Sequence, residues 1–113
     1  MAKRRERHAR KPVPTAEYSD AEGAVLTLRC SLSPGTIAKI RESAAPGASA
    51  EDAWRRRAEM LFERLAVRWE IAGLPITDQA TLLGRYRIAD SETQRWVRQT
   101  IAAHLERHLP ELA

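Results

Sequence analysis

Residues 49–77 read SAEDAWRRRAEMLFERLAVRWEIAGLPIT, and the way this stretch folds decides what the rest of the chain can pack against. Trp54, Ala58, Leu61, Phe62, Leu65, Trp69 and Ala72 recur at helical spacing, which predicts one long amphipathic helix reaching Ala72. Ser49 and Asp52 form an S-x-x-D capping pattern at its start. Its other face carries Arg55, Arg56, Arg57, Glu59, Glu63, Arg64 and Glu70, a solvated face of mixed charge. Gly73 with Leu74 and Pro75 predicts the stop: glycine can take a left-handed cap, and proline cannot continue a helix.

Working outward toward the N-terminus, residues 43–50 combine Ala45, Pro46, Gly47, Ala48 and Ser49 without periodicity and read as a loop. Before it, Ser33 as N-cap and Pro34 at the first helical position open a short helix striped by Ile37, Ile40 and Ala44. Over residues 24–32, Ala24, Leu26, Leu28, Cys30 and Leu32 alternate with Thr27, Arg29 and Ser31, the period of a half-buried strand, with Val25 as the exception. Ala16 and Tyr18 mark one side of an earlier strand over residues 15–19. Asp20-Ala21-Glu22-Gly23 suits a type I turn between the two. A lone hairpin is marginal in water, so its apolar face must lie on helices. Toward the C-terminus, Thr77 is the expected N-cap of a short helix through Leu82 and Leu83, ended by Gly84. Ser91 and Gln94 form a capping-box pair for a last helix that opens at Asp90 or Ser91 and carries Trp96, Val97, Ile101, Ala102, Leu105 and Leu109 up to Pro110. The expected fold is α+β, mostly α: an N-terminal β-hairpin packed on a small bundle of about four helices.

The 113 residues carry 19 Lys+Arg against 15 Asp+Glu, a net charge of +4 that is unevenly spread. Residues 1–13 hold six bases (Lys3, Arg4, Arg5, Arg7, Arg10 and Lys11) against Glu6 alone, so this arm is +5 and the remainder is −1. With Pro12 and Pro14 behind it, the arm reads as flexible and separate from the domain expected over residues 14–113. No apolar run approaches the roughly 18 residues needed to span a bilayer. The arm has the charged start of a signal peptide but no apolar stretch follows, so the expected location is the cytoplasm. One cysteine excludes an internal disulfide and a cysteine-based zinc site.

Residues able to carry chemistry are few. His104 and His108, four apart on the last helix, can face one metal ion, but no third ligand follows at useful spacing and Leu105 stands where a metalloprotease needs glutamate. The plainer expectation is two exposed or partly packed histidines near a negative helix end, with no metal and no cofactor. Cys30 falls on the apolar strand face, where a thiol behaves as a small hydrophobe, so it is expected in the core rather than as a nucleophile. The glycines are scattered singly, without a phosphate loop. These observations point away from an enzyme. The arm can neutralise several phosphates. The last two helices can be scored as a helix-turn-helix, but the connection over residues 84–90 is long for one, and Arg95, Arg98 and Arg107 mix with Glu92 and Glu106. Three of six aromatics are tryptophans: Trp69 is expected in the core, and Trp54, in a first helical turn, is the candidate for exposure in a protein-binding groove.

Leu28-Arg29-Cys30-Ser31-Leu32-Ser33, a helix closing at Trp69, and Gly73 to Thr77 give a chain that, over residues 15–109, resembles the tail assembly chaperones of long-tailed bacteriophages (siphophages). The resemblance implies a non-enzymatic protein that binds the aggregation-prone tape-measure protein, and tail-tube subunits, in the host cytoplasm. In that scheme Trp54, Leu61, Leu65 and Trp69, the most continuous apolar stripe, would line a groove for an amphipathic helix, and the arm would extend electrostatic reach to acidic partners. Two other readings stand beside it: a small nucleic-acid-binding protein using the basic arm, and a structural head-tail joining component of a phage particle.

Overall fold

The computed structural model describes residues 13–42 and 50–113. The six arm bases and residues 43–49 of the loop expected over 43–50 lie outside the described residues, and Ala50 already belongs to a helix. The architecture is α+β and mostly α. Strands β1 (Thr15–Ser19), β2 (Val25–Arg29), β3 (Ala66–Ile71) and β4 (Leu74–Ile76) form an antiparallel sheet in chain order. Helices α1 (Pro34–Glu42), α2 (Ala50–Leu65), α3 (Gln79–Ile88) and α4 (Ser91–His108) are followed by a 3₁₀ turn, Pro110–Leu112.

The N-terminal hairpin is the expected one, widened by a second hairpin. Asp20 closes its turn: the Asp20 carboxylate accepts from the backbone N–H groups of Glu22 at 2.8 Å and Ala24 at 2.9 Å. Ser33 caps α1 by accepting from the Thr36 N–H at 3.2 Å.

The long helix expected through Ala72 ends instead at Leu65, and the chain passes directly into β3. Residues 65–71 satisfy both periods at once. Leu65 and Trp69 are four apart, as on a helix, yet Val67, Trp69 and Ile71 are β-branched or aromatic at alternate positions, as on a strand. Tertiary pairing decides between them. Leu26 and Leu28 of β2 are buried, and strand β3 satisfies the backbone groups along that strand's second edge, placing Leu26 opposite Trp69 and Leu28 opposite Ala66, with the register shifting between Thr27 and Leu28 where Val67 of β3 is the extra residue of a bulge.

Gly73 accordingly caps no helix. It forms, with Ala72, the two-residue turn between β3 and β4, with φ of 53° at Ala72 and 79° at Gly73, the double positive φ of a type I′ hairpin. Pro75 follows in edge strand β4. Ile71 and Leu74 flank the turn as its hydrogen-bonded pair, so the next pair, Glu70 with Pro75, is a non-hydrogen-bonded one. The missing proline N–H therefore faces outward, removing no ladder bond and blunting the sheet edge.

Further boundaries shift for local reasons. Asp78, not Thr77, caps α3, accepting from the backbone N–H of Thr81 at 3.0 Å and from its hydroxyl at 2.9 Å. These bonds, the backbone one first, hold the Asp78 carboxyl below its ordinary pKa. Helix α3 runs on through Gly84 to Ile88, because Leu82 and Tyr86 on either side of the glycine are both buried in the core. The capping box expected at Ser91 is replaced by Asp90, which accepts from the Thr93 N–H at 2.8 Å, while the Gln94 amide reaches back to donate to the Tyr86 carbonyl at 2.9 Å. Only Ala89 and Asp90 separate α3 from α4, not the seven residues expected. The spacing objection to a helix-turn-helix thus falls, but the mixed charge of Glu92, Arg95, Glu106 and Arg107 on the exposed side of α4 remains.

The helices meet the sheet over Leu26, Leu28, Phe62, Leu65, Trp69, Tyr86, Val97 and Ile101. Phe62 is the hub: its ring meets Trp69 edge-on at 5.7 Å between centroids and stacks on Tyr86 at 5.0 Å. The Trp69 indole N–H is buried without a hydrogen-bond partner, a local cost of satisfying this packing.

Ala72 is the one non-glycine residue with positive φ among those described, a conformation costing an L-residue about 1–2 kcal/mol. Replacing it by asparagine, which favours this turn position, is expected to raise unfolding stability by about 1 kcal/mol in urea titration. Ala72→Val is expected to lower it, since a β-branched side chain tolerates positive φ worst.

Candidate functional site

The described surface offers a groove between α2 and α4 with a volume of about 230 Å³. Trp54, Ala58 and Leu61 line its α2 side and Ile101, Ala102 and Leu105 its α4 side. Leu112 and Ala113, carried in by the 3₁₀ turn after Pro110, close one end. Arg57 fixes that end by donating from its guanidinium to the Leu112 carbonyl. Helical repeat explains the walls: positions 54, 58 and 61 fall at i, i+4 and i+7 on α2, and positions 98, 101, 102 and 105 at i, i+3, i+4 and i+7 on α4, so each set shares one face of its helix.

Trp54 is 50% exposed, the large aromatic left open to solvent at the mouth of the groove. The Arg98 guanidinium lies 4.3 Å from the centre of its ring, a cation–π contact that orients the indole without covering the groove. Leu61, 6% exposed, belongs to the floor. The other two members of the expected stripe are elsewhere. Leu65 is fully buried at the end of α2, and Trp69, 1% exposed, is on β3 beneath Phe62. The stripe was split because the helix ends at Leu65, so Trp69 turns with the strand into the core. Arg98, Ile101 and Leu105 escaped the sequence reading as groove residues. Their helical spacing was visible, but nothing in it shows that α4 lies beside α2.

A second polar site ties the N-terminal hairpin to α4. His104 is 0% exposed, contrary to the expectation of an exposed or partly packed residue, because the face of α4 that carries it lies on the hairpin. Its Nε2 is 2.7 Å from the Arg29 carbonyl, which can only accept, so Nε2 carries the proton. Nδ1 then accepts from the Tyr18 hydroxyl at 2.6 Å. The neutral ring is fully satisfied. Burial pushes the His104 pKa below the ordinary histidine value. The bond to the Arg29 carbonyl works the other way, and the nearby His108 and Arg107 reinforce the fall. Burial first, and then proximity to Cys30, raises the Tyr18 pKa, and the charge of Arg107 opposes them.

The rings of His104 and His108 are 4.8 Å apart, but both His104 nitrogens are engaged. Among the described residues no group of three or more histidine, cysteine or acidic side chains is placed to hold a metal ion. Cys30 is half-buried rather than in the core, because β2 ends at Arg29 and the cysteine lies just past it, bonding its N–H to the Pro14 carbonyl at 2.8 Å. No helix among the described residues is long and apolar enough to cross a membrane.

Because the folded state resists protonating His104, the stabilising effect of its neutral form is complete above the unfolded histidine pKa of about 6.5. It is lost as pH falls from there through the lower folded value. Urea midpoints measured across this window are expected to drop on acidification, and His104→Gln, which keeps a donor and an acceptor but does not titrate, to flatten the drop. In comparisons with known proteins, no family model matches the chain, and no curated protein and no solved structure matches it, so the chemistry of its own surfaces must carry the functional argument.

Proposed function

We propose that the protein is a non-enzymatic binding module that holds an amphipathic helix of a protein partner in the groove between α2 and α4, acting as an assembly chaperone. The supporting observation is Trp54, half-exposed at the mouth of an apolar groove and oriented by Arg98. Tryptophan and arginine are the residue types that most often dominate protein interfaces, and a pre-oriented indole loses little freedom on binding. A groove walled by two helices suits a third helix, whose apolar stripe replaces water against Leu61, Ile101 and Leu105. Shielding such a stripe is what keeps a long helical protein from self-association before assembly.

The resemblance to tail assembly chaperones of long-tailed phages names the partner in this reading: the tape-measure protein, with tail-tube subunits as a further client. The binding set is Trp54 and Leu61 with Arg98, Ile101 and Leu105. Leu65 and Trp69 support the fold instead. Arg57 and Arg98 share the groove lining with Glu106, so its charge is mixed and the apolar stripe of the client helix supplies the main match.

The test is calorimetric titration of a tape-measure helical segment into the full chain. Trp54→Ala is expected to weaken binding by about thirtyfold, the size of a loss of about 2 kcal/mol at an interface anchor, with little change in stability because the side chain is half-exposed. Ala102→Arg, at an exposed wall position, is expected to block the groove without touching the core. Unchanged affinity in both folded variants would refute the assignment.

A further inference from the structure

The groove between α2 and α4 has three charged residues in its lining, Arg57, Arg98 and Glu106. Two of them are engaged within the chain: Arg57 donates to the Leu112 carbonyl, and Arg98 lies over the Trp54 ring. Glu106 is exposed, and the ion pairs among the described residues, Arg68 with Glu70 and Arg87 with Glu59, include neither it nor Arg98. A guanidinium and a carboxylate on one helix thus line the same apolar groove with no opposite charge to meet them among the described residues.

Their spacing suggests what meets them. Arg98, Ala102 and Glu106 fall at i, i+4 and i+8, one ridge of α4, with the exposed Ala102 midway. The two charges are about 12 Å apart along the helix axis, too far to pair with each other. Reversed end to end, however, the ridge is its own complement. A two-fold axis through Ala102, perpendicular to α4, exchanges the positions of Arg98 and Glu106. Two copies of α4 laid antiparallel about that axis set Arg98 of each opposite Glu106 of the other, whereas a parallel pair would set like charges together.

The apolar surface fits the same operation. With α4 of a second copy in the groove, Trp54, Ala58 and Leu61 would meet it from α2, and Ile101 and Leu105 from α4. By symmetry α4 of the first copy enters the equivalent groove of the second, so the contact is isologous and closes at two chains. Alanine at its centre puts little side chain between the two helices. The half-exposed Trp54 flanks it, an aromatic of the kind that interfaces bury.

We propose that a second copy of this chain docks on this face, giving an antiparallel two-fold dimer centred on Ala102 and held in register by reciprocal pairing of Arg98 with Glu106. The dimer uses the groove assigned above to a client helix but does not rest on that reading. Where a client binds, the two occupants compete, and the client releases the chain from its own copy.

The test is sedimentation velocity on the full chain alone across a concentration series, which is expected to show a monomer–dimer equilibrium. Arg98→Glu and Glu106→Arg each introduce two like-charge contacts into the dimer, and each is expected to weaken self-association by about a hundredfold. Mixed in equal amounts, the two variants are expected to associate at least about tenfold more tightly than either does with itself, because both contacts then join opposite charges. Circular dichroism is the folding control, and neither position is buried. A chain that sediments as a monomer throughout would overturn the proposal and leave the client titration untouched. A dimer indifferent to both charge reversals would also overturn it, by placing the interface on another face. Failure of the mixture to associate more tightly than its components would exclude the antiparallel register.

Discussion

The antiparallel pairing of β2 with β3 is the interaction on which the rest of the structure depends. Strand β2 brings Leu26 and Leu28 to one face of the sheet, and a two-stranded hairpin alone cannot keep that face from water. Strand β3 extends the sheet and places Trp69 beside Leu26. Because α2 runs into β3 without an intervening residue, the same pairing anchors the end of α2, and Leu65 and Phe62 follow into the core. Tyr86 of α3 and Val97 and Ile101 of α4 then close over that centre.

Two buried polar groups show what this packing demands. His104 is satisfied on both ring nitrogens, so a titratable ring joins α4 to both strands of the first hairpin while remaining neutral. Trp69 is not satisfied, and its N–H is retained beside Phe62 because the large ring fills the space between sheet and helices. The hairpin and α4 are thus held by polar geometry, whereas the sheet and α2 are held chiefly by aromatic packing. These two kinds of contact respond to different conditions, the first to acid and the second to loss of volume.

Helix α2 also distributes two surfaces. Trp54 near its start faces the apolar groove, while Arg64 at its end lines a separate polar cavity. Ten residues separate them, about 15 Å along a helix axis. The apolar groove and the polar cavity therefore draw on different turns of one helix.

Local chemistry in the sequence determined the first hairpin with its Asp20 turn and the Ser33 cap, because each depends on residues within a few positions of one another, and the α+β class follows from the periods of such short stretches. Hydrophobic period could not decide residues 66–71, where helix and strand spacing coincide, nor whether Gly73 ends a helix or turns a hairpin. It could not show that Arg98 lies over Trp54, that His104 finds Tyr18 and the Arg29 carbonyl, or that Arg29 and Arg64 share a cavity. The partners in these pairs are separated by 35 to 86 residues. Only the tertiary structure decides such contacts, because the free backbone edge of β2 needed a partner strand and residues 66–71 could supply it.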